Sequence, residues 1–401
     1  MSETKNRSWL DIPRGIWALG FVSMFMDISS EMIHALFPLY LVTVLGASMV
    51  TVGFIEGIAE ATAMITKVFS GAISDWLGRR KLLVVIGYGL AAFTKPVFPL
   101  ASSIGWFVGA RLVDRIGKGI RGAPRDALIA DIAPEHIRGA SFGLRQSLDT
   151  VGAFVGPLLV IGLMLLTMNN FKLVFWIAVI PAFIAFALLV YGVEEPKKST
   201  TVKDTKPRMQ LSDVKRLTAP FWVVVGIAAI FTLGRFSEAF LILKAQNVGM
   251  PIAIVPAIMV VMNVVYAVVS YPAGVLSDRI GRNGIIFVGI AMLVVADLIL
   301  AFGTTVPVVL VGVVFWGLHM GLTQGLLATL VADTAPPDLR GTAFGMFNLA
   351  SGVAMLAASV IAGGLWDVYG PRMTFFAGAA FTAIALVGLL IVWSRKTVVA
   401  T

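Results

Sequence analysis

Charged side chains lie inside stretches that are otherwise apolar, and their types and spacing could support proton transfer. Asp27, Glu31 and His34 stand at positions i, i+4 and i+7, which fall on one face of an α-helix. A charged side chain at the centre of a bilayer costs about 2.5–3.5 kcal/mol, so it normally faces a cavity or a partner. We interpret the three residues as candidates for proton coupling, with His34 as partner or relay. The alternative is a structural pair bridged to a basic residue of the fourth predicted helix.

A second pair of carboxylates, Glu56 and Glu60, repeats the i, i+4 spacing. Glu56 is expected nearer the outer side, as a solvated or paired residue, whereas Glu60 is retained as a cavity candidate. The stretch 105–131 is denser still in charge, and its basic side chains follow helical spacing closely enough to form a ladder. Its charged residues are Arg111, Asp114, Arg115, Lys118, Arg121, Arg125, Asp126 and Asp131.

The composition requires that membrane helices position these residues. The chain has 401 residues, of which 58% are hydrophobic and only 13% charged, and its mean hydropathy is +0.92. Soluble domains carry about 25% charged residues. A cytosolic enzyme with a conventional core is therefore excluded. The chain has no cysteine, which excludes a disulfide scaffold, and with three histidines we expect no metal site and no cofactor.

Apolar stretches of about 20 residues, the length that crosses the hydrocarbon core, recur along the chain. They predict an all-α membrane protein of about twelve helices in two six-helix bundles, at 1–193 and 218–401, with a polar linker at 194–217. The predicted spans are 15–45, 49–73, 82–102, 105–131, 140–167, 171–192, 218–246, 250–275, 284–303, 306–332, 342–366 and 373–394.

The net charge of +9 is explained by where the basic residues lie. They concentrate in alternate connections, whereas those at 46–49, 102–105 and 303–306 are nearly free of charge. This pattern predicts a cell-membrane protein with both termini in the cytoplasm. We therefore expect a lipid bilayer and a small-molecule substrate as partners, no nucleic acid, and a monomer.

Two blocks of sequence recur at nearly one offset, which indicates an internal duplication. Residues 71–79 (GAISDWLGR) recur 203 positions later as residues 274–282 (GVLSDRIGR). Residues 130–134 (ADIAP) recur 202 positions later as residues 332–336 (ADTAP). Parallel six-helix repeats related by an axis along the membrane normal occur in transporters.

With these repeats, the chain resembles the major facilitator superfamily over its whole length. The resemblance implies alternating access around a midplane cavity, and a loop signature that locks the cytoplasmic side. It also places Arg111 where the superfamily has its fourth-helix arginine, with Asp114 in place of the usual glutamine. The signature residues are Gly71, Asp75, Gly78 and Arg79 in the first copy, and Asp278 and Arg282 in the second.

Further ion pairs are expected near the cytoplasmic side. Arg145 and Asp149 could pair with Asp126 and Arg125 to form an inner gate, the alternative being a permanent cluster. Asp131 and its repeat counterpart Asp333 are expected to pair with Arg79 and Arg282, or with Arg138 and Arg340.

The fifth predicted span carries Gly143, Gly152 and the pair Gly156-Pro157. This spacing resembles the signature of superfamily exporters that exchange substrate for protons. The usual closing glycine pair is replaced by Val160-Ile161, so close helix packing with a proline kink is the alternative.

The second half is poorer in charge. Arg115 and Lys118 correspond at an offset of 202 to Gly317 and Met320, so helix geometry alone does not require the charges of the fourth span. The cavity candidates in this half are Arg235, Glu238, His319, Gln324 and Asn348.

Secondary transport driven by a proton gradient is the expected function, with export of a small amphiphilic compound as the first choice. Uptake of a polar or anionic metabolite is the alternative, because arginine suits carboxylate and phosphate. A lipid-modifying enzyme or a non-transporting sensor on the same scaffold is a further alternative. The sequence contains no cluster of nucleophiles or metal ligands at one membrane face that would indicate an enzyme.

Lys118→Met copies the residue found at the repeat position, Met320. We expect this variant to fold with unchanged thermal stability and to lose transport, because the charge serves the function of the first half and not its helix geometry. Transport in proteoliposomes, measured beside a thermal-unfolding curve, checks the prediction. Normal transport kinetics would contradict a functional role for the ladder.

Overall fold

A computed structural model describes residues 12–195, 214–280, 282–336 and 339–399. Within these ranges the chain is helical and contains no strand, which confirms the predicted all-α membrane fold. Residues 196–213, most of the predicted linker, lie outside the described residues. The helices are α1 (Arg14–Thr43), α2 (Met49–Leu77), α3 (Arg80–Leu100), α4 (Ile104–Ile132), α5 (Arg138–Leu166), α6 (Phe171–Gly192), α7 (Ala219–Asn247), α8 (Ala257–Ile280), α9 (Arg282–Phe302), α10 (Val306–Thr334), α11 (Arg340–Tyr369) and α12 (Pro371–Val399).

Two of these spans are discontinuous. The regular helix of α3 ends at Thr94 and resumes at Val97, after Pro96, which has no backbone N–H to donate. The regular helix of α7 ends at Gly234 and resumes at Ala239. The seventh span, predicted at 218–246, is therefore interrupted, and the interruption exposes backbone groups in the middle of a membrane segment.

Helix α4 differs from the other spans in composition. Among the described residues, eleven helices are long and apolar enough to cross a membrane, and α4 is not among them. Its 29 residues nevertheless suffice for the crossing. Arg111, Asp114, Arg115 and Arg121 are all at most 5% exposed, so these charges face the protein interior and not the lipid.

The helices pack as two similar groups. In the first half α1 packs on α5 and α6, and α4 on α2 and α3; in the second half α10 packs on α8 and α9, and α12 on α7 and α9. Equivalent glycines make equivalent contacts. Gly87 of α3 lies against Arg121 of α4, and 202 positions later Gly289 of α9 lies against Thr323 of α10. The duplication therefore holds at the level of side-chain packing.

The two halves meet along a seam between α2 and α11. Both oxygens of Asp367 accept hydrogen bonds from the backbone at the start of α2, from Met49 N at 3.0 Å and Val50 N at 2.8 Å. A carboxylate at this place satisfies unpaired N–H groups and complements the helix dipole. A Cβ at Gly53 would collide with α11, and one at Gly363 with α2. The seam therefore closes the face opposite to the chain termini.

Asp367→Ala should loosen this seam, because the first backbone N–H groups of α2 lose their acceptors. The chain has no native cysteine, so Ser359→Cys, at a fully buried seam position, gives a single labelling site. We expect the alanine change to raise its rate of maleimide labelling by about 2- to 30-fold, as 0.3–2 kcal/mol of dipole and capping energy allows. Ser102→Cys, on an exposed connection of the same face, should react equally in both backgrounds. An unchanged rate at position 359 would rule out Asp367 as a lock.

Candidate functional site

Two arginines of α4 are paired with the two glutamates of α2. Arg111 Nη2 lies 3.1 Å from Glu56 Oε1, and Arg115 Nη1 lies 3.2 Å from Glu60 Oε1. Of the two alternatives for Glu56, solvated or paired, the structure has the paired one, because its side chain is only 1% exposed. Charge pairing lets four ionised groups lie within the membrane-spanning part of the bundle, and much of the predicted ladder is thus a structural anchor.

A third ion pair joins α3 to α4. Lys95 Nζ lies 2.9 Å from Asp114 Oδ1 and donates to Ser30 Oγ on α1 at 3.1 Å. The lysine follows the last residue of the first segment of α3, where Pro96 interrupts the helix. Lys95 is absent from the predicted site, although a single charge in the apolar stretch 82–102 was a signal that could have found it.

His34 connects the predicted cluster of α1 to this network. Its Nδ1 lies 3.5 Å from Glu31 Oε2 and its Nε2 lies 3.7 Å from Glu56 Oε2. Ser237, in the interruption of α7, places its Oγ 3.5 Å from the same Glu56 oxygen. Glu31 and His34 are therefore linked through Glu56 to Arg111 of α4, and the network reaches the second half of the molecule.

Two adjoining chambers lie between the halves, on the side of the seam that carries the termini. The proximal chamber, about 390 Å³, is formed by α1, α2, α4, α5 and α8, and the distal chamber, about 240 Å³, adds the interruption of α7. Both are lined by Glu31, Glu60, Lys118 and Asn263. Four predicted residues, Asp27, Glu31, Glu60 and Lys118, thus come together at one cavity.

Four charged side chains of the proximal chamber have no hydrogen-bond or ion-pair partner among the described residues. They are Asp27 on α1, Lys67 on α2, and Lys118 and Arg121 on α4. The other acidic residues of this chamber each lie within 4 Å of a basic side chain. The chamber therefore offers one carboxylate, two ammonium groups and one guanidinium to whatever enters it.

Glycines of α5 bring this helix close to the acidic face of α1. A Cβ at Gly152 would lie 2.6 Å from the carbonyl oxygen of Met24, and one at Gly156 would lie 2.8 Å from the Cβ of Glu31. The Cβ of Gly143 would meet no heavy atom within 4 Å. Gly152 and Gly156 thus have a packing role, which agrees with the alternative interpretation of this glycine spacing.

The ion pairs expected between α4 and α5 for an inner gate are not formed in this conformation, in which the chambers lie on the side of the termini. Arg145 pairs with Asp149 one turn away on α5, and Arg125 Nε lies 3.3 Å from Asp126 Oδ1 on α4. These ion pairs therefore lie within each helix, and the inner gate stays a prediction. Gln146, the neighbour of Arg145, lines the proximal chamber and was not predicted.

The pairing expected for Asp131 is also corrected. Its Oδ2 lies 3.0 Å from Arg80 Nη1, and not beside Arg79 or Arg138. Arg80 begins α3 and Asp131 lies near the end of α4, so the pair joins two adjacent helix ends at the face that carries the termini.

The signature loop is only partly described. Gly78 ends α2 in the left-handed region, with φ +61°, which explains a glycine there. A Cβ at Gly71 would make only an ordinary 3.5 Å contact with the Cβ of Ala123, Arg79 is exposed, and Arg282 begins α9. The side chains of Asp75, Asp278 and Asp333 lie outside the described residues.

The candidates of the second half divide into two groups. Arg235 Nη2 lies 3.9 Å from Glu238 Oε1, and both residues line the distal chamber. His319 is fully buried beside aromatic rings of α7 and α10, and the described linings of the two chambers include neither Gln324 nor Asn348. The second half therefore contributes to the chambers mainly through the interruption of α7 and through Asn263 and Tyr266 of α8.

Comparisons with known proteins agree with this architecture. The sequence matches the Major Facilitator Superfamily at residues 19–358 and 227–400. It is 32% identical to an MFS-type transporter of Methanocaldococcus jannaschii over 400 residues, which cover 98% of this chain and 97% of that protein. It is 27% identical to the quinolone resistance protein NorA of Staphylococcus aureus over 218 residues, 54% of each chain. The solved structure of the nucleoside transporter NupG has a TM-score of 0.78 at 12% identity, covering 94% of this chain and 99% of that one.

The membrane-spanning helices and these matches define a multi-pass membrane transporter. The chain belongs to the major facilitator superfamily. Among the described residues no group of three His, Cys, Asp or Glu side chains is placed to hold a metal ion.

Glu56→Gln should lower the free energy of unfolding by about 3–5 kcal/mol, because it leaves the Arg111 guanidinium buried without its counterion. Glu60→Gln is the matched control, since the Glu60 carboxylate is 29% exposed and its partner Arg115 lines a chamber. We expect a clearly smaller loss there. Thermal unfolding of the detergent-purified variants checks the pair, and equal losses would contradict the structural role assigned to Glu56.

Proposed function

We propose that this transporter exports a small amphiphilic compound carrying a negative charge, in exchange for protons across the cell membrane. The observation that carries the proposal is the division of unpaired charge in the proximal chamber. Asp27 lies on α1, whereas Lys67 lies on α2, and Lys118 and Arg121 lie on α4. The carboxylate can exchange a proton while the separate basic groups bind an anion.

The lining favours a substrate with an acidic group and an apolar part. Ammonium groups such as those of Lys67 and Lys118 form charge-assisted hydrogen bonds with carboxylate or phosphate. The distal chamber adds Met259, Met355 and Phe236. Methionine side chains are flexible and polarisable, so they adapt to apolar groups of different shapes.

Asp27 is the best placed carboxylate to exchange a proton with the chamber. A carboxylate held in an ion pair must break that pair when it is protonated, whereas Asp27 has no such partner among the described residues. Its half-buried position on α1, next to the close contact with Gly152, ties it to the packing of α1 and α5. Protonation there can therefore bias the arrangement of the two helices.

Export is supported by the similarity to the quinolone resistance protein NorA and by the glycine spacing of α5. With the termini in the cytoplasm, as the charge distribution predicts, the chambers lie on the cytoplasmic side of the closed seam. Uptake of a polar or anionic metabolite is the second candidate, because the unpaired charges of the proximal chamber are mainly basic. We propose a monomer that needs no cofactor beyond the ion gradient.

Asp27→Asn should abolish transport driven by a proton gradient while substrate exchange and ligand binding persist, because the amide keeps the shape of the carboxylate but cannot carry the proton. A substrate is first selected by thermal-shift screening of carboxylates, phosphates, zwitterions and cationic dyes. Gradient-driven flux and exchange are then compared in proteoliposomes. Glu194→Gln, an exposed position after the end of α6, is the control and should behave as the natural protein. Full gradient-driven flux in Asp27→Asn would rule out the assigned role.

Direction is tested in inside-out vesicles whose interior is acidified. An exporter that exchanges its substrate for protons accumulates the substrate in the vesicles, whereas a symporter for uptake releases it. Stabilisation by cationic dyes alone, with no response to any acid, would contradict the proposed substrate class.

A further inference from the structure

A carboxylate of the second half is buried without a partner. Asp297 of α9 is 0% exposed, and neither of its oxygens has a hydrogen-bond partner among the described residues. Burying an ionised carboxylate in apolar surroundings is very unfavourable unless a cation or hydrogen-bond donor compensates it. Neither the chambers nor the proposed proton exchange at Asp27 accounts for this group.

The carboxylate lies where α12 approaches the interruption of α7. A Cβ at Gly378 of α12 would lie 2.8 Å from Asp297 Oδ2, so this glycine allows the approach. One turn further along α12, Thr382 is fully buried and its Oγ1 also lacks a partner among the described residues. Gly234, which ends the first segment of α7, packs directly against Gly378 and Thr382.

The end of the first segment of α7 adds negative potential here. The last turn of a helix carries carbonyl oxygens without an intrahelical partner and the negative end of the helix dipole. Among the described residues, the backbone N–H of Arg235 closes this last turn by donating to the carbonyl oxygens of Phe231 and Thr232. A carboxylate, a hydroxyl and a helix carboxyl end thus converge in a buried place, a combination that favours a cation.

The internal duplication indicates what the first half has at the equivalent place. Asp297 and Trp316 follow Lys95 and Asp114 by 202 positions, the offset at which Gly87 and Gly289 make equivalent contacts. In the first half the Lys95 ammonium neutralises Asp114 at 2.9 Å. In the second half a carboxylate replaces the lysine, and a tryptophan whose Nε1 is unpartnered replaces the aspartate. In the first half a lysine of the chain neutralises the buried carboxylate, whereas in the second half the described residues supply no such cation to Asp297.

We propose that Asp297, Thr382 Oγ1 and the carboxyl end of the first segment of α7 bind one monovalent cation, a proton or a sodium ion. A single carboxylate balances one positive charge. The bound cation would hold α7 against α12 at its interruption, which also carries Ser237, Arg235 and Glu238 to the distal chamber. Occupancy of the site is thereby coupled to the shape of the chamber.

Few other ionisable side chains are described on the helices around Asp297. They are His319 on α10, Arg372 on α12, Tyr266 and Tyr271 on α8, and Arg235, Glu238 and Lys244 on α7. His319 is fully buried and its Nε2 is unpartnered, so its own titration must be separated from that of Asp297. His319→Gln serves this purpose in the pH experiment.

Thermal unfolding of the purified full chain tests the site without any substrate. In the first series NaCl replaces choline chloride at constant ionic strength, and in the second the pH is varied without sodium. If the cation is sodium, we expect the melting temperature to rise by roughly 2 °C for each tenfold increase in sodium concentration. If it is a proton, the melting temperature should fall by a similar amount for each pH unit, because mass action withdraws the ligand.

Asp297→Asn should remove the response, and Thr382→Val should weaken it in the sodium series. Thr374→Val is the matched control, because this buried threonine of α12 donates to the Ala362 carbonyl oxygen at 2.9 Å and should leave the response unchanged. If Asp297→Asn does not fold, a weaker response to sodium in Thr382→Val than in Thr374→Val supports a sodium site. For a proton site, the corresponding result is loss of the pH response in Asp297→Leu.

A response to sodium or pH that is the same in the natural protein and in Asp297→Asn would overturn the proposal, as would a pH response that His319→Gln alone removes. Asp27→Asn should retain the Asp297 response. Failure of the cation site is therefore distinguishable from failure of the proposed proton exchange.

Discussion

The ion pair between Glu56 and Arg111 is the interaction on which the first bundle depends. A helix with eight charged residues, such as α4, is too polar to cross a bilayer alone, and it becomes compatible with the membrane only when neighbouring helices supply counterions. Glu56 and Glu60 of α2 and Lys95 of α3 supply them, at distances of 2.9–3.2 Å. The position of α4 between α2 and α3 therefore follows from electrostatics as much as from apolar packing.

This pairing also selects the residues that remain available for function. Once Arg111 and Arg115 are neutralised, the charges left to the proximal chamber are Asp27, Lys67, Lys118 and Arg121. Through His34 and Ser237 the same network extends from α1 to the interruption of α7. A change of charge in the chamber can thus reach both halves through hydrogen bonds and ion pairs, without a separate pathway.

The two halves share one arrangement of helices but compensate their buried charges in different ways. Equivalent glycines pack equivalent helices in both halves, yet the buried Lys95–Asp114 pair of the first half corresponds to Asp297 and Trp316 in the second. Close packing requires small residues at the same places, whereas buried charges need only local compensation. Transport by rocking of two similar bundles is compatible with this difference, because the axis relates backbones and not side chains.

The sequence by itself determined the class of fold, the helix number and the position of several charged cavity residues, because hydrophobic length, helical spacing and internal repetition are local properties. It also placed Asp27, Glu31, Glu60 and Lys118 at one site, since a charge in an apolar helix must face the interior. Only the tertiary structure decided which partner each charge has: Glu56 with Arg111, Asp131 with Arg80, and Arg145 with Asp149 on its own helix. The interruption of α7 and the isolation of Asp297 were likewise decided there, because pairing depends on distances between helices that are far apart in the chain.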